Sequence, residues 1–162
     1  MSQADSINTM AERFAAAYAE LAAFLPTFEA AIARRDREIS WRTGLAPHWT
    51  LRTDIEAKTH MAMQAIVEEE MGIGKMGEHL DALYARLDPV VNQIIAAPAQ
   101  DISSVGLKAN AVATTVPHLW DALPDDLDYP DQLLRDLIES FCVIAGVELL
   151  VRPNNQPRND LN

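Results

Sequence analysis

The sequence predicts an all-α fold, in which a long antiparallel helical hairpin (about residues 6–40 and 53–97) is followed by two shorter helices (about 102–116 and 129–151). Three observations predict it. Apolar residues recur at alternating steps of three and four through both long segments, the spacing of a helix that packs along one stripe. Apolar residues make up 49% of the 162-residue chain against only six glycines, and no run of alternating β-branched residues is long enough for a strand. Aspartates stand at two places where a helix must open, before Ile102 and before Tyr129.

In the first helix the stripe is Ile7, Met10, Phe14, Ala17, Leu21, Phe24, Phe28 and Ala31. Pro26 falls on the side away from that stripe, where a kink is tolerable. Residues 41–52, WRTGLAPHWTLR, contain Gly44, Pro47, Trp41 and Trp49 and interrupt the rhythm. They are expected to form the hairpin connection, with the two tryptophans either covering the open end of the helix pair or offering aromatic contacts to a partner.

The rhythm resumes at Ile55 and runs through Thr59, Ala62, Ile66, Glu69, Ile73, Met76, Leu80, Leu83, Leu87, Val90 and Ile94 to Ala97. Because the phase looks continuous across Gly72, Gly74 and Gly77, one unbroken helix is expected. A connection centred near residue 46 sets those glycines opposite Phe14–Tyr18, where missing side chains would make room for rings. At about 1.5 Å per residue, arms of this kind run roughly 50–65 Å.

Asp101 is the expected N-cap of the third helix, whose stripe is Ile102, Val105, Ala109, Val112 and Val116, with Gly106 beside it for close packing. Pro117 and HLWDALPDDLDYPD then break regular structure. The last helix is expected to open at Asp128 or Tyr129 with Pro130 in its first turn, to bury Leu133, Leu134, Leu137, Ile138, Phe141, Cys142 and Ala145, and either to end at Gly146 or to extend through VELLV to Val151. Residues 1–151 are expected to be one domain, and the polar tail 152–162 to be disordered.

Three segments carry a family resemblance: AERFAAAYAELAAFLPTFEAAIARRDRE, IIAAPAQDISSVGLKANAVA and LLRDLIESFCVIAG. Through them the chain resembles a group of small, all-helical bacterial proteins. The middle segment is the most specific, with a small-residue and proline step at Pro98, then Gly106 followed shortly by Lys108. Relatives are threonine-rich at the capping positions, where this chain has Gln100, Asp101 and Ser103. The resemblance implies a helical hairpin with shorter helices added, and brings no activity with it.

The chain carries 24 acidic and 13 basic residues, a net charge of −11, so its average field repels nucleic-acid phosphate and anionic lipid. No nucleic-acid or membrane partner is expected. The basic cluster Arg34, Arg35 and Arg37 is interrupted by Asp36 and reads as a solvated helix face. The N-terminus lacks the features of a secretory signal and no apolar run approaches the ~20 residues that span a bilayer, so the expected location is the cytoplasm.

Candidate chemistry is sparse. Glu56 and His60 share a helix face but make only two ligands, and His48, His79 and His118 lie in different elements without ligand spacing. GIGKMG lacks the strand and GK[ST] ending of a phosphate loop. The lone Cys142 lies in the apolar run FCVIAG and reads as a buried small hydrophobe. Glu69 is the one carboxylate on the expected seam; burial there would raise its pKa and suit it to proton transfer, but the expectation is that its stem packs at the helix edge and its head reaches water or an arginine. No catalytic residue, metal site or cofactor is assigned.

The aspartates 121, 125, 126, 128 and 131 crowd around Trp120 and Tyr129. They read either as a solvated loop or as a docking patch for a basic partner. The candidate partner-binding residues are thus Trp41, Trp49, Trp120, Asp125, Asp126, Asp128 and Tyr129. The first expectation is a non-enzymatic helical interaction or scaffold protein acting through self-association or partner binding. The alternatives are a small-molecule-binding or metal-dependent helical-bundle enzyme, and an acidic mimic that binds a basic partner.

Overall fold

The computed structural model describes residues 7–45 and 53–151. Those residues form six helices, α1 (Ile7–Thr43), α2 (Asp54–Met71), α3 (Ile73–Ala96), α4 (Ile102–Thr115), α5 (His118–Asp121) and α6 (Tyr129–Ala145), with a 3-10 turn at Pro124–Asp126 and no strand. The fold is all-α and includes a helical hairpin. The chain divides into two compact units, Ala16–Leu87 and Met1–Ala15 with Asp88–Asn162.

In the unit Ala16–Leu87 the hairpin is antiparallel, because from Glu20 to Phe24 to Arg35 in α1 the partners fall from Arg86 (2.7 Å) to His79 (ring edge-on at 4.6 Å) to Glu68 (2.8 Å). Near the end of α1, Arg42 reaches Glu70 at 2.8 Å. Leu21, Ile39, Val67, Ile73, Leu83 and Leu87 are its buried apolar residues. α1 runs three residues past its expected end and takes Trp41 into its last turn. Trp49 and the centre of the connection lie outside the described residues.

The second arm departs from its expected form. It is divided at Gly72, whose φ of +66° is left-handed and whose N–H donates to the carbonyls of Glu68 and Glu69. The apparent continuity of phase across this point is coincidental. In α3 the expected stripe is correct, with Ile73, Leu83, Leu87, Val90 and Ile94 buried. In α2 it faces water: Ile55, Thr59, Ala62, Ile66 and Glu69 are exposed, while His60 and Val67 point inward. A single left-handed residue redirects the chain, so the helix before it presents a different face. Glu69 therefore lacks the burial that would have suited it to proton transfer.

The expected glycine–ring packing is absent too. Phe24 rather than Phe14 lies alongside the start of α3, its ring against His79. A Cβ added at Gly74 or Gly77 would meet nothing within 4 Å.

The second unit contains a core of Ala109, Ala113, Leu119, Trp120, Ile138 and Cys142, bordered by Val112, Val116, Leu134, Val147, Leu149 and Val151. α4 is built of small residues, which lets α6 approach closely. At Gly106 an added Cβ would stand 2.6 Å from Ala145 Cβ and 2.8 Å from Val147 Cγ2. Asp101 caps α4 by accepting from the Ser104 N–H at 2.7 Å, and the Ser104 hydroxyl accepts from the Asp101 N–H in return. Lys108 Nζ donates to the Ile95 carbonyl in the last turn of α3, where a cation suits the helix dipole.

α6 stops at Gly146, again left-handed, so residues 147–151 do not continue the helix as expected. They form a non-helical strap in which Val147, Leu149 and Val151 turn toward the core while Glu148 and Leu150 face water. Asn110, buried in α4, holds the strap by its backbone. Its Nδ2 donates to the Glu148 carbonyl at 3.1 Å and its Oδ1 accepts from the Leu150 N–H at 2.7 Å. A non-helical segment offers N–H and C=O groups that a helix would have consumed, and one amide side chain satisfies both.

Candidate functional site

α6 opens as the sequence predicts, with Asp128 accepting from the Asp131 N–H at 3.0 Å and Pro130 in the first turn. Its apolar residues come as adjacent pairs, Leu133/Leu134, Leu137/Ile138 and Phe141/Cys142. Adjacent residues are about 100° apart on a helix, so the pairs define two stripes rather than one. Small-residue α4 is narrow and covers only one of them. Ile138 and Cys142 are buried and Leu134 packs against the core, whereas Leu133 and Leu137 are each 50% exposed. The expectation that Leu133, Leu137 and Phe141 are buried is therefore corrected.

With Tyr129 (70% exposed), Phe141 (38%) and Ile144 (64%), these leucines make a continuous outward stripe at steps of four, four, four and three. The signal was present in the doubled pairs, since an apolar arc of that width exceeds what one packing partner can cover.

The acidic segment is an ordered border to this stripe. Gln132 Nε2 donates to the carbonyls of Pro124 and Leu127 at 3.1 and 2.9 Å, pinning the 3-10 turn to the start of α6. Asp125, Asp126 and Asp128 are exposed beside Tyr129. Asp131 lies 3.5 Å from His118 Nε2. Of the predicted contact residues, these three aspartates and Tyr129 come together on the surface.

Trp120 does not join them. Its ring is 0% exposed, at the centre of the core, and its Nε1 donates to Glu139 Oε1 at 3.2 Å. Arg135 Nε donates to the same oxygen at 2.9 Å, while its Nη1 donates to the Leu119 carbonyl at 3.0 Å. This network fastens α5 to α6, so the indole is an internal anchor instead of a docking group. Trp41, in the unit Ala16–Leu87, is 79% exposed at the end of α1.

Residues considered for chemistry are placed as follows. Glu56 closes the capping box of α2, accepting from the Thr53 N–H at 3.0 Å. His60 is buried on the inward face of the same helix. Among the described residues no three His, Cys, Asp or Glu side chains are grouped to hold a metal ion, and no helix is long and apolar enough to cross a membrane. Burial, and secondarily the Glu139 carboxylate, pushes the Cys142 thiol up from its ordinary value, so it stays protonated and inert. On the hairpin, the hydrogen bond from Arg42 holds the Glu70 carboxyl below the usual carboxylate range.

No protein-family model, curated protein or solved structure matches the chain. The functional reading rests on the residues themselves.

Proposed function

We propose that this chain is a non-enzymatic helical interaction protein that receives another helical segment along the outer face of α6. The observation that supports the reading is the second apolar stripe of that helix. Leu134, Ile138 and Cys142 already serve the interior, yet Tyr129, Leu133, Leu137, Phe141 and Ile144 stay in water. Fully burying a Leu, Ile or Phe side chain contributes about 1.5–3 kcal/mol. An aligned row left uncovered is a store of binding energy that the fold itself does not use, and contiguous exposed apolar surface marks interaction sites. A lone thiol kept in the core suits a reducing compartment such as the cytoplasm, the location this reading carries.

The test is site-specific photo-crosslinking in the native cell. A benzophenone side chain at position 137 is expected to give discrete adducts, and the same probe at exposed position 29 on α1 to give none. Equal labelling at both positions would remove the reading.

A further inference from the structure

We infer that the occupant of the outer α6 face is a basic amphipathic helix belonging to a different protein. This rests on the interaction reading above and names the chemistry of the partner. Tyr129 to Ile144 spans about 22 Å at 1.5 Å per residue, some four turns, so the matching segment is about 15 residues long. It docks helix along helix, with apolar anchors spaced at three and four residues.

Charge decides what surrounds those anchors. Asp125, Asp126 and Asp128 are exposed at one end of the stripe, and Asp136 is exposed beside the step from Leu133 to Leu137. Residues 98–151 contain nine acidic and two basic residues. Both cations are engaged elsewhere. Arg135 is bonded to Glu139 and to backbone carbonyls of the α5 region, with its side chain only 13% exposed; Lys108 is bonded to the Ile95 carbonyl. The border of the stripe is therefore acidic.

A second copy of the chain fits this border poorly. Antiparallel pairing of α6 about a two-fold axis near Leu137 would set Asp136 close to its own copy, and a like-charge meeting of this kind disfavours the pair. Lysine or arginine flanking an apolar stripe turns the same border into attraction, and their long stems extend the apolar cover. The basic end of the occupant lies toward Asp125–Asp128, where the acids concentrate.

The experiment uses the full chain and two labelled helical peptides that share one leucine stripe, one with lysine and the other with glutamate at every polar position. Fluorescence anisotropy at physiological ionic strength is expected to give saturable binding of the leucine–lysine peptide, with the leucine–glutamate peptide at least about tenfold weaker. The double variant Leu133→Ser/Leu137→Ser, with its fold checked by circular dichroism and thermal melting, is expected to lose about tenfold in affinity. Asp125→Asn/Asp126→Asn/Asp136→Asn is expected to weaken binding and flatten its salt dependence. Glu29→Gln/Glu78→Gln/Asp81→Asn, which removes as many exposed acids from the hairpin, is expected to leave binding unchanged.

Leucine–lysine binding that survives loss of the two leucines would be charge attraction alone and would overturn the proposal, as would equal affinity for both peptides. If neither peptide binds and sedimentation shows a dimer that Leu137→Ser dissociates, the occupant is a second copy; the basic-helix proposal then fails while the interaction reading stands. Absence of peptide binding, self-association and crosslinks at position 137 would overturn both.

Discussion

Gly106 and Asn110 show how single side chains hold the second unit together. At Gly106 a methyl group would stand 2.6 Å from Ala145 Cβ, an atom rigidly attached to the end of α6. Gly106→Ala gains helix propensity of about 1 kcal/mol but suffers overpacking of about 1–3 kcal/mol, so a net loss of about 1 kcal/mol in chemical denaturation is expected. Asn110→Ala leaves the Glu148 carbonyl and the Leu150 N–H without the amide that now pairs them. The expected loss is about 1–3 kcal/mol, with the Leu150 amide losing its protection from hydrogen exchange. Trp120→Ala empties the centre of the core and is expected to cost about 3–5 kcal/mol. For Cys142 the sign follows from its raised pKa. The stability it contributes is intact below the ordinary thiol range and declines as pH rises through the folded value. Native protein at mildly alkaline pH is expected to resist a thiol reagent that reacts at once after denaturation.

The glycine-containing junction of α2 and α3 separates conformational need from vacancy. Gly72 is left-handed at φ +66°, a region that penalises any side chain, so Gly72→Ala is expected to destabilise by about 1 kcal/mol. Gly74 and Gly77 are helical with open space around an added Cβ. Gly74→Ala and Gly77→Ala are each expected to stabilise by about 0.5–1 kcal/mol. Thermal melts of the three variants check a contrast in sign within six residues of sequence. α6 carries the same lesson about faces. Helical spacing places residues on a helix, but it does not say how many of its faces find partners; that depends on the width of the helix opposite. α4, narrow at Gly106, Ala109 and Ala113, covers the stripe of Ile138 and Cys142 and leaves Leu133 and Leu137 outside.

At the level of the whole molecule, a charge of −11 and an isoelectric point near 4.6 oppose contact between copies at neutral pH. Self-association measured by sedimentation is expected to be weak at pH 7 and to rise as pH falls toward the isoelectric point. Leu137→Ser is expected to suppress that rise, because the apolar stripe is what the carboxylates shield. A strong dimer at neutral pH and low salt would contradict the account of the α6 border.

Local chemistry was legible in the sequence. The caps at Asp101 and Asp128, the stripe of α1 from Met10 to Phe28, the outward placement of Pro26, and close packing at Gly106 all depend on spacing and side-chain type within a few residues. Only the tertiary structure decided which way the apolar residues of α2, of the outer side of α6 and of the strap after Gly146 turned. The phase of α2 hinged on one backbone angle at Gly72, the path of residues 147–151 on an amide reaching across from α4, and the burial of Trp120 on a carboxylate and an arginine of α6. These outcomes come from contacts between residues far apart in the chain, and a periodic pattern read along one helix carries no information about the width or chemistry of the surface it meets.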